Sequence, residues 1–106
     1  MAFFNHYRRP GINEGVNEFR ANPAAVLLDV RSPKEYMEGR IPGSKNIPLQ
    51  SLDKVASVAK NKSVPLYVYC QSGVRSDRAV HQLKQMGYQN VKNIGGMSAY
   101  SGKVEQ

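Results

Sequence analysis

Apolar residues in this chain fall into short continuous runs separated by amphipathic stretches. Ala24-Ala25-Val26-Leu27-Leu28-Asp29-Val30 and Val64-Pro65-Leu66-Tyr67-Val68-Tyr69 are such runs. Strands buried on both faces of a parallel sheet have this pattern. Asn46-Ile47-Pro48 reads as a minimal strand stopped by its proline, and 91–94 as a further strand followed by Gly95-Gly96. Between these runs the apolar positions recur at helical spacing. Ile12, Val16 and Phe19 predict a short helix over 12–20, broken by Asn22-Pro23. Leu52, Val55, Val58 and Ala59 share one face of a helix over 51–59. Ala79, Val80, Leu83 and Met86 form the stripe of the clearest helix, 76–86. That helix has Asp77 in its first turn, Lys84 near its end and Gly87 as its cap. Ser32-Pro33-Lys34-Glu35 has the form of another helix start, with Ser at the N-cap and Glu three residues on. Gly39 ends that helix, and 41–44 reads as a turn.

Strands alternating with helices predict an α/β fold: a central, mostly parallel sheet of about four to five strands with helices on both faces. A chain of 106 residues suits one domain with one core. No stretch reaches transmembrane length. The first ten residues carry no extended apolar segment, so no secretory signal is expected. A single cysteine excludes an internal disulfide and suits a reducing compartment, expected to be the cytoplasm. The net charge is +7, yet Arg8-Arg9 is the only adjacent basic pair and no basic run is interleaved with aromatics. A nucleic-acid footprint is therefore not expected. The charge is either a solvated surface or a field that draws small anions or an acidic partner. His6 and His81 have no partner at metal-ligand spacing, so no metal is expected.

The candidate chemistry lies in Cys70-Gln71-Ser72-Gly73-Val74-Arg75-Ser76. The lone cysteine follows an apolar strand and precedes a helix. In open α/β sheets, ligands bind outside the carboxyl ends of the strands. Gly73 can adopt backbone angles that let successive N–H groups turn toward one point. The helix adds its positive end. A free thiol ionises near about 8.5, and such surroundings lower that value. The resulting thiolate suits covalent chemistry on an anionic or sulfur-bearing substrate. A small buried hydrophobe is the competing role for Cys70, but it leaves the neighbouring Gly and Arg unexplained. Arg75 either orients an anionic donor or ties the loop to backbone carbonyls. Ser76 reads as a helix N-cap. Asp29 and Arg31 end a buried strand near the site, with an ion pair expected between Arg31 and Glu35.

Cys-x-x-Gly-x-Arg-Ser after an apolar strand resembles the active-site loop of rhodanese-type sulfurtransferases. Leu27-Leu28-Asp29-Val30-Arg31 resembles the Asp-Val-Arg segment of that family, and Gly39-Arg40-Ile41-Pro42-Gly43-Ser44 its Gly-His-Ile-Pro-Gly-Ala motif. Gly87-Tyr88 and Asn93-Ile94-Gly95-Gly96-Met97 resemble its closing segment. Arg40, Ser44 and Tyr100 depart from the family pattern, where histidine, alanine and tryptophan are common. The resemblance spans roughly 12–100 and implies a single rhodanese-like domain over 1–106, with no fused partner. It further implies that Cys70 takes the outer sulfur of a small anionic donor such as thiosulfate and holds it as a persulfide. The amides of Gln71, Ser72, Gly73, Val74, Arg75 and Ser76 would cradle the persulfide, and cyanide, a thiol or a protein would accept its sulfur. Asp29, Arg31 and Glu35 would support the loop, and no cofactor would be needed.

Two alternatives remain open at this stage. A sulfur carrier or regulatory module would use the same loop without turnover. A thiolate phosphatase or arsenate reductase would need Cys-x5-Arg around its oxyanion, whereas Cys70 and Arg75 are separated by four residues.

Overall fold

The computed structural model describes residues 11–106. Phe3-Phe4, His6, Arg8-Arg9 and the segment read for a secretory signal lie outside the described residues. The elements are α1 (Ile12–Arg20), β1 (Val26–Asp29), α2 (Pro33–Glu38), β2 (Lys45–Asn46), a 3₁₀ segment (Leu49–Ser57), β3 (Leu66–Cys70), α3 (Val74–Gln85), β4 (Val91–Gly96) and a 3₁₀ turn (Met97–Ala99). Among these residues, no helix is long and apolar enough to cross a membrane.

The four strands are all parallel and lie in the order β2-β1-β3-β4. The chain therefore builds outward in opposite directions from the β1–β3 pair. The carboxyl ends of those two strands, Asp29 and Cys70, flank the crevice where such sheets bind ligands. Both faces of the sheet are covered. On one face Ile12 and Val16 of α1 pack with Leu27, Tyr67, Tyr69 and Ile94. On the other, Leu52 and Val55 of the 3₁₀ segment and Ala79 and Leu83 of α3 pack with Leu28, Val68 and Cys70. Strands with both faces covered have no polar side to show, which is why β1 and β3 read as unbroken apolar runs.

Three elements differ from the sequence-based expectations. The helix expected over 51–59 is a 3₁₀ segment that begins earlier, at Leu49, with a kink at Ser51. Leu49, Leu52, Val55 and Val58 repeat every three residues, the period of a 3₁₀ rather than an α-helix. The helix expected from 76 begins at Val74 behind Gly73, whose φ is 97°. Ser76 is consequently inside the first turn and is not its N-cap. β4 continues past Ile94 to Gly96 through a register shift, in which Tyr69 pairs with Gly95 while Val68 pairs with Asn93. Gly95 supplies the positive φ, 103°, that a bulge of this kind needs. The start at Ser32 matches its reading: its side chain and that of Glu35 form a reciprocal capping box.

Gly15 lets α1 lie directly on β4, because a Cβ there would overlap the side chain of Ile94. Gly15→Ala gains about 1 kcal/mol of helix propensity against roughly 1–3 kcal/mol for overpacking a buried contact. Net destabilisation is expected, read as a lower thermal midpoint. An unchanged or raised midpoint would show that α1 does not depend on this close approach.

Candidate active site

Cys70 ends β3 with its side chain on the α3 face of the sheet, and only 1% of the residue is exposed. Burial alone would match the role of a small hydrophobe. The polar groups around the sulfur do not. Sγ accepts the N–H of Gly73 at 3.0 Å and that of Ser76 at 3.4 Å, and it lies 3.4 Å from Ser76 Oγ. With Gly73 as N-cap, Ser76 is the third residue of the helix. Its amide is the one an N-cap side-chain oxygen normally satisfies. Glycine has no such oxygen, and the sulfur of Cys70 takes its place.

Burial is the strongest influence on the Cys70 thiol and acts to raise its pKa. The hydrogen bonds from the Ser76 hydroxyl and from the amides of Ser76, Gly73 and Ser72 together outweigh it. The thiol is held below its ordinary value, and the ionised form is favoured by donors aimed at it. The donor ring is thus narrower than the full stretch 71–76: Ser72, Gly73 and Ser76 face the sulfur, while Val74 and Arg75 occupy the first turn of α3.

Asn93 completes the ring from β4. Its Oδ1 lies 2.8 Å from Ser76 Oγ, whose single proton serves either Asn93 or the ionised sulfur; Oδ1 also accepts the Gly95 N–H at 2.9 Å, and Nδ2 donates to the Gly73 carbonyl at 3.2 Å. The sequence reading gave this residue no role. Asparagine is disfavoured within strands, so its place between Val91 and Ile94 was the available signal. The loop is also clamped from outside. Ser98 N–H donates to the Gln71 carbonyl at 3.1 Å, and a Cβ on Gly96 would collide with that carbonyl.

The charged residues pair differently from expectation. Arg31 does not pair with Glu35. Its Nη2 and Nε grip the Asp29 carboxylate, with Nη2 to Oδ2 at 2.8 Å, and Nη2 also donates to the Gly39 carbonyl at 2.6 Å. Asp29 and Arg31 are 0% and 4% exposed. Their separation of two residues lets Arg31 fold back on the strand end, and Arg31 N–H also donates to Asp29 Oδ1 at 2.9 Å. Glu35 instead takes Arg75 in a two-point pair at 2.7 and 3.0 Å. Arg75 is thereby tied to α2 and not to the backbone carbonyls of its own loop. The Arg75 hydrogen bond lowers the Glu35 carboxyl to about 2. Gln71 Oε1 lies 3.4 Å from Arg31 Nη1, linking the loop to the buried pair.

A thiol held below its ordinary pKa at the switch point of a parallel α/β sheet, ringed by main-chain donors, places the chain among α/β domains with a cysteine at the end of a central strand. Residues 13–103 match the family model for the rhodanese-like domain. The chain belongs to the rhodanese-like domain family. It is 40% identical over 90 residues to YqhL of Bacillus subtilis, an alignment that covers 83% of this chain and 71% of that protein. It is 37% identical over 71 residues to the thiosulfate sulfurtransferase PspE of Escherichia coli, covering 66% of this chain and 68% of that one. The solved structure of a rhodanese with anions from E. coli superposes with a TM-score of 0.74 at 32% identity, covering 78% of this chain and 99% of that chain.

Two outcomes follow from this geometry. Ser76→Ala removes the hydroxyl that, 3.4 Å from the sulfur, helps to lower the thiol's pKa. Iodoacetamide alkylation of Cys70 followed against pH should then show a more alkaline midpoint. An unmoved midpoint would remove the hydroxyl from the account. The folded-state pKa of Glu35 is depressed, so the Glu35–Arg75 pair contributes above the ordinary value of 4.5 and is lost as pH falls toward 2. Both side chains are about one-third exposed, which limits the effect to about 1 kcal/mol or less. Urea midpoints of the wild type and Glu35→Gln should differ at neutral pH and converge across that window. A difference that persists at the acid end would mean the carboxylate charge is not what matters.

Proposed function

We propose that this protein is a sulfurtransferase that carries a sulfane sulfur on Cys70 as a persulfide. The observation that carries the proposal is the sulfur itself, buried yet shared as acceptor by Gly73 N–H and Ser76 N–H. With thiosulfate as donor, the Cys70 thiolate attacks the outer sulfur. A new S–S bond forms, the S–S bond of thiosulfate breaks, and its electron pair leaves with sulfite. The negative charge passes to the terminal sulfur of the persulfide, where the loop amides stabilise it as an oxyanion hole stabilises oxygen. An acceptor, cyanide or a thiolate, then attacks that terminal sulfur. Thiocyanate or a new persulfide departs and the thiolate is restored, in a two-step ping-pong cycle. No net oxidant or reductant is consumed.

Gln71 to Ser76 form the substrate-binding loop in this scheme. Asp29 and Arg31 brace it from β1, and Glu35 fixes Arg75 from α2. The same pairing supports sulfur over phosphate as cargo. A phosphate ester would meet a loop of only four residues between Cys70 and Arg75, and a guanidinium already engaged by Glu35. The single thiol suits a reducing compartment such as the cytoplasm. A thiol or a protein as acceptor is compatible with the basic surface, which favours encounter with acidic partners.

Intact-mass spectrometry after incubation with thiosulfate or an organic thiosulfonate should show one added sulfur atom on the wild type and none on Cys70→Ser. The serine variant should remain folded, because the change is nearly isosteric. Sulfur uptake by that variant would reject the site. Loading of Cys70 with very slow turnover on cyanide would assign the carrier role in place of thiosulfate:cyanide transfer.

A further inference from the structure

A cavity of about 430 Å³ opens beside the active loop, lined by Arg31, Glu35, Glu38, Gln71, Met97 and Val104 among others. Val104 belongs to the segment 101–106, which is held at both ends. Ser101 N–H donates to Asn13 Oδ1 at 3.0 Å at one end. At the other, Arg40 and Glu105 exchange both main-chain hydrogen bonds, at 2.9 and 2.8 Å. Their side chains pair as well, with Arg40 Nε to Glu105 Oε1 at 3.4 Å. Gln106 Nε2 adds a bond to the Glu38 carbonyl at 3.1 Å. Fixed at both ends, this strap holds Val104 close over Gly39, where a Cβ would stand 3.1 Å from its Cγ1. Val104 nonetheless remains 45% exposed, an apolar side chain at the cavity mouth.

The charges of the lining do not suit a doubly negative donor. Arg31 is already neutralised by Asp29, and Glu35 by Arg75. Glu38 has no ion-pair partner among the described residues. Thiosulfate entering here, and sulfite leaving, would meet no unpaired cation among the described lining residues, and one carboxylate.

We infer that Val104 is a specificity-determining residue, and that the cavity it closes takes organic sulfane donors, with an apolar group next to the transferred sulfur, in preference to inorganic thiosulfate. The inference rests on the Cys70 persulfide chemistry proposed for this site. The organic group lies against Met97 and Val104 while the sulfane sulfur reaches the loop. For a thiosulfonate, the Cys70 thiolate attacks the outer sulfur, the bond between the two sulfurs breaks, and the electron pair leaves with a singly charged sulfinate. The leaving group then carries one charge fewer than sulfite past lining residues that, among those described, include no unpaired cation.

The test compares kcat/KM for benzenethiosulfonate and thiosulfate, with cyanide as acceptor, in the wild type, Val104→Asn and Glu38→Lys. The intrinsic reactivities of the two donors differ, so the readout is the change in their ratio. Val104→Asn, which is polar but uncharged, should lower the benzenethiosulfonate-to-thiosulfate ratio roughly tenfold by spoiling the apolar wall. Glu38→Lys should lower it by raising the thiosulfate value severalfold, an effect that fades with added salt. A ratio unchanged in both variants, with Cys70 still loading sulfur, would overturn the inference and leave the persulfide chemistry standing. Failure of wild-type Cys70 to load from either donor would overturn both.

Discussion

The sulfur of Cys70 stands where α3 needs a capping acceptor, and most of the site follows from that one substitution of sulfur for oxygen. A helix start leaves amides without partners. Gly73 provides the left-handed turn that brings α3 back over the end of β3 but no side-chain oxygen to satisfy them. Placing Sγ in the gap satisfies the Gly73 and Ser76 amides and aims them at a group that becomes negative. Capping and nucleophile activation are the same hydrogen bonds. Loop and helix are therefore stabilised most when the thiol is ionised, and the ionised thiol is stabilised most when they are in place.

Around this centre, charge is used to fasten and not to attract. A buried pair such as Asp29–Arg31 is stable only if its remaining polar groups are also satisfied. Here Arg31 reaches the Gly39 carbonyl, and Asn46 Nδ2 donates to the main-chain carbonyls of Asp29 and Arg31 at 2.9 and 3.0 Å. The pair thereby joins β1, β2 and the turn after α2. Glu35 serves two ends at once: its carboxylate closes the capping box of α2 and holds Arg75 at the start of α3. The two ion pairs fix the relative positions of β1, α2 and the Cys70 loop.

The parallel sheet and the thiol at its edge were legible in the sequence because both depend on local pattern. Buried strands read as apolar runs, and a cysteine between a strand and a glycine-containing turn has few placements in a parallel α/β sheet. The 3₁₀ segment was misread because a window of nine residues barely separates a period of 3.0 from 3.6, and Ala59 next to Val58 favoured the longer one. Ion-pair partners were misassigned for a different reason. Arg31 and Glu35 are four apart, a natural helical pair, but Arg31 precedes α2 and lies in extended chain, so its guanidinium turns to the strand end. Asn93 could be given a role only once the bulge at Gly95 had brought β4 beside Ser76, a tertiary event with no local signature beyond an awkward strand residue.

The groups around the sulfur and those around the neighbouring cavity belong to different parts of the molecule. The groups that touch the sulfur are main-chain amides and one hydroxyl, and they are fixed by the conformation of Gly73 and the clamp of Gly96 on the Gln71 carbonyl. Those contacts tolerate little change, since any side chain on Gly96 would displace the loop. The cavity beside the loop is lined by Arg31, Glu35 and Gln71, which also brace the loop, and by Glu38, Met97 and Val104. The side chains of those last three give no hydrogen bond to Sγ. Arg40 illustrates the separation: it stacks on the Tyr36 ring, with its guanidinium carbon 4.8 Å from the ring centre, and pairs with Glu105, so it holds the 101–106 strap while remaining absent from the thiol's hydrogen-bond network. If Cys70 carries sulfur as proposed, a fold organised this way would keep the chemical step constant while residues that never contact the thiol set the donor.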